Sequence, residues 1–485
     1  MKKQPLFLLS LFFSYLIIRL LLISYVPFVR DEALYVQMIN EQIEDITFIP
    51  TYLGHPVDWK PPVFFWVYSF FVRFLITLPL SDEIIYRLPT VIFGFLNLFI
   101  VFFLSKKLSN STEVAKVVSI IYSFNFLVIY MDNTVLIDTL LNFFILLSFY
   151  LYLRTDFGNI RFFPIIILSS LAFFTKLAVA FILPVLAVVY FLVYNKNQFS
   201  NIFFVLSLFS VPLSAIIYSS LDVFAGGEQL FISTGLITTF NNFSSTDILT
   251  TFYGSFIPFM LTSGIWFFLS VMGFFKYCRK NLFISFWFML ILIPFLISFF
   301  MPWYFLPVMF PVSYFSALVL LYNEKNKITL DNFFKLIFLL FIVVSFILGF
   351  WFYDSLRQDY EHNRIIGREI AGFENVLFIG DYNPELIIYK ILEEKRRGQE
   401  LDYGWILFSN TTRYNTDDFV NNYWNKHDEL VDGSFTSMFR QKNVAYRKDT
   451  NITKFDYIIL LGVHSDKING NLIKNESNVS IFKIK

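Results

Sequence analysis

TVLIDTLLNFFILLSFYLYL, residues 134–153, holds one charged side chain, Asp138, in twenty positions. In an α-helix, twenty residues extend over about 30 Å, which matches the hydrocarbon thickness of a bilayer. The stretch therefore predicts a membrane-spanning helix. An ionisable residue inside such a helix is by default a functional candidate.

Comparable apolar runs fill most of the first 350 residues. Hydrophobic residues make up 56% of the 485 residues and charged residues 15%, and the mean hydropathy is +0.61. Soluble domains have about 25% charged residues, so a wholly soluble protein is excluded. Eleven runs are predicted to span the membrane: 5–29, 88–104, 114–131, 134–153, 161–176, 177–194, 199–220, 256–275, 281–300, 303–322 and 333–352. A shorter run at 63–79 is predicted to lie in the outer interface.

Charge divides the chain into two parts. Of the 75 charged residues, 38 lie between Asp354 and Lys485. This predicts a transmembrane domain at 1–352, with its first external loop at 30–87, and a soluble domain at 353–485. Short β-type runs in the tail alternate with helix-like stretches such as 384–397, which predicts a small α/β fold.

Orientation follows from the lysines and arginines, which fall in alternate short loops and mark those loops as cytoplasmic. With eleven spans the N-terminus is cytoplasmic, and the tail and first loop face outward. The protein is then an integral plasma-membrane protein with an extracytoplasmic C-terminal domain. An alternative with twelve spans and an external N-terminus stays open.

Several classes of function are excluded by what the sequence lacks. The net charge of +1 and the absence of a long basic run argue against nucleic-acid binding. Cys278 is the single cysteine, and the four histidines are widely spaced, so the sequence predicts neither disulfides nor a zinc site. No metal and no cofactor is expected.

The first external loop holds the most informative polar residues. Asp31 and Glu32 directly follow the first span, and Lys60 precedes Pro61-Pro62 near the end of the loop. Carboxylates at the edge of a membrane can have a raised pKa, as a general base requires, and a lysine on a stiff backbone can hold an anionic head group. The alternative is that charged residues at the end of a span simply meet water.

Charges within or beside the spans add further candidates. Asp138 lies near the external end of its span, Lys176 lies at an external turn, and Arg19 lies about 15 Å below the external end of the first span. The alternatives are a helix-dipole position for Asp138, snorkelling for Lys176 and an internal ion pair for Arg19. Tyr304 marks the outer end of another span, where an interfacial aromatic belt is the alternative.

Under one topology the acids and lysines lie at one membrane face, which favours a lipid-linked anionic substrate. In this order the motifs resemble those of the GT-C polytopic membrane glycosyltransferases, especially protein O-mannosyltransferases and lipid A aminoarabinose transferases. The likeness covers residues 5–322. The matching motifs are Asp31-Glu32-Ala33-Leu34-Tyr35, Lys60-Pro61-Pro62, Arg87-Leu88-Pro89, Asp138, Thr175-Lys176 and Tyr304 to Pro307.

The resemblance implies transfer of a hexosyl or pentosyl group from a polyprenyl (dolichyl or undecaprenyl) phosphate to an acceptor hydroxyl on a protein, glycan or lipid, by an inverting, metal-independent reaction. It also implies juxtamembrane helices in the first external loop. Asp31 would be the base, and Glu32 would position it or hold the acceptor. Lys60, Lys176, Asp138 and Tyr304 would bind the donor phosphate and sugar. Arg30, His55 and Asp58 are further candidates.

Two positions depart from the family pattern. Leu177 stands where the family often has glycine, and Trp303 stands where it often has a basic residue before the tyrosine.

Two other functional classes remain open. A transporter or lipid flippase would show paired repeats, broken spans and midplane charges, and a non-catalytic scaffold would leave the ordered loop motifs unexplained.

Overall fold

The computed structural model describes most of the chain. The described residues are 3–52, 55–57, 60–154, 162–194, 201–224, 257–297, 302–321, 332–373, 376–380, 384–398, 405–408, 456–461, 471–476 and 479–484. They form two compact units. The first, the helical unit, comprises residues 1–26, 42–50 and 58–355, and the second, the C-terminal unit, comprises residues 27–41, 51–57 and 356–485.

The helical unit is built from apolar helices that follow the predicted runs closely. Among the described residues, the α-helices are α1 (Lys3–Leu22), α2 (Asp31–Glu44), α3 (Val63–Leu75), α4 (Asp82–Ser109), α5 (Thr112–Phe124), α6 (Phe126–Asp132), α7 (Ile137–Leu153), α8 (Phe162–Lys176), α9 (Ile182–Tyr194), α10 (Ile202–Phe224), α11 (Ile257–Ser263), α12 (Ile265–Tyr277), α13 (Leu282–Ile297), α14 (Met309–Leu321), α15 (Asn332–Glu369) and α16 (Pro384–Arg396). Short 3-10 helices cover Leu177–Phe181, Cys278–Lys280 and Pro302–Val308.

Two predicted spans are interrupted. The run at 114–131 bends by 64° between α5 and α6 at Asn125, whose side chain accepts a hydrogen bond from the Leu127 amide at 2.9 Å and so caps α6. The run at 256–275 breaks at Gly264, which has a φ of +60°. The two breaks meet, because the Asn125 amide donates to the Ser263 carbonyl oxygen at 3.3 Å.

By length and composition, two helical segments among the described residues could cross a membrane, Asp82–Ser109 and Tyr304–Leu321, and the bent pair α5–α6 would make a third. Seven shorter apolar helices of 10 to 17 residues accompany them. The chain is therefore mostly helical with an apolar membrane part. The count of eleven spans stays a prediction.

The loop at 30–87, which the sequence predicts to be external, contains two helices, α2 and α3. Between them a short hairpin pairs β1 (Thr51–Tyr52) with β2 (His55–Pro56). Helix α3 begins directly after Pro62, a position where the missing amide of proline costs no helical hydrogen bond.

The tail contains a five-stranded mixed sheet, formed by β3 (Val376–Gly380), β4 (Trp405–Phe408), β5 (Tyr457–Leu461), β6 (Asn471–Glu476) and β7 (Val479–Lys483). The strand order is β4-β3-β5-β7-β6, with β3 parallel to both neighbours and β7 antiparallel to both of its own. Ile366 of α15, Ile370 directly after that helix and Leu386 of α16 form a buried core with residues of this sheet. The sequence shows β-type runs at 375–380, 405–409, 455–461 and 479–484, so it predicts every strand of this sheet except β6.

Candidate active site

Three predicted site residues of the helical unit form a cation cluster, defined here as Asp138, Lys176 and Tyr304. The Lys176 Nζ donates a hydrogen bond of 2.6 Å to Asp138 Oδ1. The same ammonium lies 3.6 Å from the centroid of the Tyr304 ring. The side chains of Lys176 and Asp138 are only 17% and 6% exposed, so the pair is largely shielded from water.

Local structure explains why these three side chains meet. Asp138 lies in the first turn of α7, where the positive end of the helix dipole favours a carboxylate. Lys176 is the last residue of α8, where the negative end of the dipole favours a cation, and α7 packs against α8. Tyr304 lies in the 3-10 helix at Pro302–Val308, which packs against α7.

The cluster fixes an ammonium group at the end of apolar helices. A lysine ammonium has three N–H donors, and Asp138 takes one of them, so the group can also bind an anionic oxygen. A cation held over an aromatic face in a poorly hydrated place gains up to about 2 kcal/mol from that face. The arrangement therefore suits the binding of a phosphate oxygen.

Asp31 and Glu32 lie in the C-terminal unit, at the start of α2. The Asp31 side chain is exposed. Glu32 is 1% exposed, and its Oε2 accepts a hydrogen bond of 3.3 Å from the Val29 amide, as in a capping box. Glu32 thus fixes the turn that precedes the helix, while Asp31 faces solvent.

The remaining candidates are placed as follows. Lys60 is half-buried, just before α3, in the same unit as the cation cluster. Arg30 is exposed, and its Nε donates to the Tyr360 hydroxyl at 3.0 Å. The backbone of His55 belongs to β2, and Asp58 lies outside the described residues.

Sequence reasoning gives no role to Asp132, which the structure buries with Arg19. Asp132 Oδ2 accepts hydrogen bonds from the Tyr15 hydroxyl at 2.6 Å and from Arg19 Nη2 at 3.4 Å. The Arg19 guanidinium also donates to the Ser123 carbonyl oxygen and stacks over the Tyr15 ring at 4.0 Å. The structure confirms the internal ion pair that the sequence leaves open for Arg19.

Arg87, which opens the Arg-Leu-Pro motif, is also buried. Its Nη1 donates to the carbonyl oxygens of Ile23 and Val26 at 2.8 and 2.6 Å. These carbonyls follow the end of α1, where a helix leaves such groups unpaired. The arginine therefore closes the C-terminal end of the first helix.

Glu385 of α16 is a second residue that sequence reasoning misses. It is 4% exposed, and its Oε1 accepts a hydrogen bond of 2.6 Å from the backbone amide of Arg30. Burial raises the pKa of this carboxyl above its usual value, against the opposing effect of the Arg30 amide. No sequence pattern links positions 355 residues apart.

Among the residues that the structure describes, no group of three or more His, Cys, Asp or Glu side chains is arranged to share a metal ion. The polar contacts in the described chain include the cation cluster, the Arg19–Asp132 pair and the bond between the Arg30 amide and Glu385.

Comparison with known proteins gives a match in structure rather than in sequence. No family model matches the chain, and no curated protein does. ArnT from Cupriavidus metallidurans, bound to undecaprenyl phosphate, aligns over 98% of this chain and 98% of its own, with a TM-score of 0.63 and 13% identity. Its apo structure gives the same TM-score with 12% identity.

The archaeal oligosaccharyltransferase AglB from Archaeoglobus fulgidus, in complex with an inhibitory peptide and a dolichol-phosphate, aligns over 93% of this chain and 69% of its own, with a TM-score of 0.51 and 12% identity. The chain therefore has the fold of the GT-C membrane glycosyltransferases. At the level of fold, this confirms the resemblance that the loop motifs indicate.

Proposed function

We propose that this protein transfers a sugar from a polyprenyl-phosphate donor to an acceptor hydroxyl at the external face of the plasma membrane. The main support is the end-to-end structural likeness to ArnT, which was solved with undecaprenyl phosphate bound. The cation cluster agrees with this proposal, because it holds an ammonium where apolar helices end. A lipid-linked phosphate has its charge next to an apolar tail and suits such a place.

The proposed reaction is a single displacement at the anomeric carbon. The acceptor oxygen bonds to that carbon, the bond from the carbon to the phosphate oxygen breaks, and the lipid phosphate leaves with the electron pair. Asp31 takes the proton from the acceptor hydroxyl. A single displacement inverts the configuration at the anomeric carbon. The proposed reaction uses no metal ion.

The other predicted residues act on the donor. Lys176 and Lys60 stabilise the negative charge that develops on the leaving phosphate. Asp138 and Tyr304 orient the Lys176 ammonium through the contacts described above. Glu32 holds the turn next to Asp31 through its bond to the Val29 amide, which positions the base.

The test is sugar transfer by the purified, full-length protein from a panel of synthetic polyprenyl-phosphate sugars to candidate acceptors. We expect Asp31→Asn to lower turnover by about 100-fold or more, a typical contribution of a general base. Asp45→Asn is the matched control, since Asp45 is an exposed carboxylate directly after the same helix. Wild-type turnover in Asp31→Asn would exclude Asp31 as the base.

The same preparation separates the enzyme from a transporter or flippase. An enzyme releases the polyprenyl phosphate and forms a glycosylated acceptor. A flippase in vesicles moves the labelled donor between leaflets and leaves it intact. Donor movement without any cleavage across the panel would contradict the proposed function.

A further inference from the structure

The backbone immediately before Asp31 is strained. Arg30 has a φ of +45°, in the left-handed region that is uncommon for residues with a side chain. Such a conformation has a cost and persists only where surrounding contacts hold it, and positions of this kind concentrate at functional sites. Contacts within the C-terminal unit hold Arg30 in place.

Two residues of α16 bind the backbone of this strained segment. Glu385 Oε1 accepts the Arg30 amide at 2.6 Å, and the Tyr389 hydroxyl accepts the Phe28 amide at 2.8 Å. Glu385 and Tyr389 are four residues apart and lie on one face of the helix. The rings of Tyr389 and Phe28 also stack, with centroids 5.5 Å apart.

Two side-chain bonds extend the same attachment. Lys395 Nζ, further along α16, donates to Asn40 Oδ1 on α2 at 2.7 Å. The Tyr360 hydroxyl on α15 accepts from Arg30 Nε. Contacts with α15 and α16 thus hold the segment from residue 28 to residue 40 at Phe28, at Arg30 and at Asn40.

We infer that α16 is a positioning element for the segment from residue 28 to residue 40, in which Glu385 and Tyr389 set the backbone that orients Asp31. This inference rests on the proposed function, because it gives Asp31 its role as base. Both contacts are made by buried side chains, since Glu385 is 4% exposed and Tyr389 is fully buried. Buried hydrogen bonds to the backbone fix a geometry more firmly than exposed contacts do. Glu385 is a positioning residue, because it acts through Arg30 and not on the substrate.

Hydrogen exchange tests the attachment without any activity measurement. Glu385→Ala removes the acceptor, and we expect amides in peptides covering residues 27–35 to exchange about 10-fold faster or more in the full-length protein, the factor expected for a lost bond to a charged group. Glu385→Gln keeps an acceptor oxygen and should restore most of the protection. Tyr389→Phe keeps the stacked ring, removes one acceptor and should give a smaller increase.

Glu393→Ala is the matched control. Glu393 lies on the same helix but pairs with Arg396 and Arg397, so its loss should leave the exchange of residues 27–35 unchanged. Unchanged exchange in Glu385→Ala would overturn the inference. Equal acceleration in Glu393→Ala would also overturn it, because the effect would then be a general loosening of α16.

Steady-state kinetics test whether the attachment serves the base. Misplacement of a catalytic group by about 1 Å can cost about 100-fold in rate. We expect Glu385→Ala to lower kcat by about 10- to 100-fold with a donor KM within about twofold of wild type, and Glu385→Gln to recover most of kcat. Wild-type kcat in Glu385→Ala would overturn the positioning role. Absence of transfer by the wild type would instead contradict the proposed function, and the exchange experiment would still decide the attachment.

Discussion

The ammonium of Lys176 lies 2.6 Å from the carboxylate of Asp138, although 38 positions separate the two residues in the chain. The pair is mostly shielded from water, with side-chain exposures of 17% and 6%. In such a place the loss of one partner leaves the other poorly solvated, so the two side chains act as a unit. In the proposed reaction, Asp138 sets the position of Lys176 for the donor phosphate.

We predict that Asp138→Asn lowers kcat/KM for the lipid-phosphate donor by about 10- to 100-fold, because the ammonium loses its fixed position opposite the leaving phosphate. Lys176→Met should give at least the same loss. The double variant should be no worse than Lys176→Met alone, since Asp138 acts through Lys176. The measurement is initial rate against donor concentration.

Glu113→Gln provides the control for this cycle. Glu113 pairs with Lys116 in the first turn of α5, at a more exposed position, and its loss should leave the kinetics unchanged. Additive losses for Asp138 and Lys176 would show that the carboxylate has a separate role, such as contact with the sugar.

The ring of Tyr304 should matter more than its hydroxyl. The Lys176 ammonium lies 3.6 Å from the ring centroid, and cation–π contacts are worth about 0.5 to 2 kcal/mol. We predict that Tyr304→Leu lowers donor kcat/KM by about 3- to 30-fold, whereas Tyr304→Phe keeps it close to wild type. A defect as large in Tyr304→Phe as in Tyr304→Leu would assign the role to the hydroxyl.

The sequence predicts the helical runs and most of the small sheet because both depend on local periodicity. The sequence places Asp138 and Lys176 at the ends of two spans on the same side of the membrane, and in the structure the two side chains form a hydrogen bond. The breaks at Asn125 and Gly264 are not predicted, because hydropathy averages over a whole run. A single capping side chain or one positive φ interrupts a helix without changing that average.

Contacts between distant segments account for the rest of what the sequence misses. In the sequence, Asp132 lies in a short turn between two apolar runs. Its burial beside Arg19 depends on how α1 and α6 pack against α4. In the sequence, Glu385 is indistinguishable from other acidic residues in the first turn of a polar helix. Only the fold shows that its carboxylate accepts the amide next to Asp31, so neither role has a local signal.

The buried Arg19–Asp132 pair should contribute to stability. Removal of one partner of a buried ion pair typically costs about 3 to 5 kcal/mol, because an unpaired charge remains inside. We predict a loss of this order in the free energy of unfolding for Arg19→Met and a partial recovery in Arg19→Met/Asp132→Asn. Denaturant unfolding in detergent measures both.

The control for this pair is Arg279→Met, which removes an exposed arginine. It should change stability by no more than about 0.5 kcal/mol, as surface substitutions usually do. A double variant whose loss of stability equals the sum of the losses in Arg19→Met and in Asp132→Asn would contradict the coupling.

The raised pKa of Glu385 gives the stability of the C-terminal unit a predictable pH dependence. Burial raises the pKa of this carboxyl in the folded state, so the folded state binds the proton more tightly than the unfolded state does. The contribution of Glu385 to stability is therefore greatest below its unfolded pKa and declines as pH rises through its folded pKa. Arg30 and Asp31 are the charged neighbours that modify the shift.

Glu385→Gln has no such titration, because its amide stays neutral. We predict that Glu385→Gln becomes more stable relative to wild type as pH rises above the usual carboxyl range, so its Tm rises relative to that of wild type. Each unit of pKa shift corresponds to about 1.4 kcal/mol of relative stability. Thermal unfolding of both full-length proteins between about pH 4 and pH 8 measures the difference. A difference that stays constant or falls with rising pH would mean that the Arg30 amide stabilises the carboxylate by at least as much as burial disfavours it.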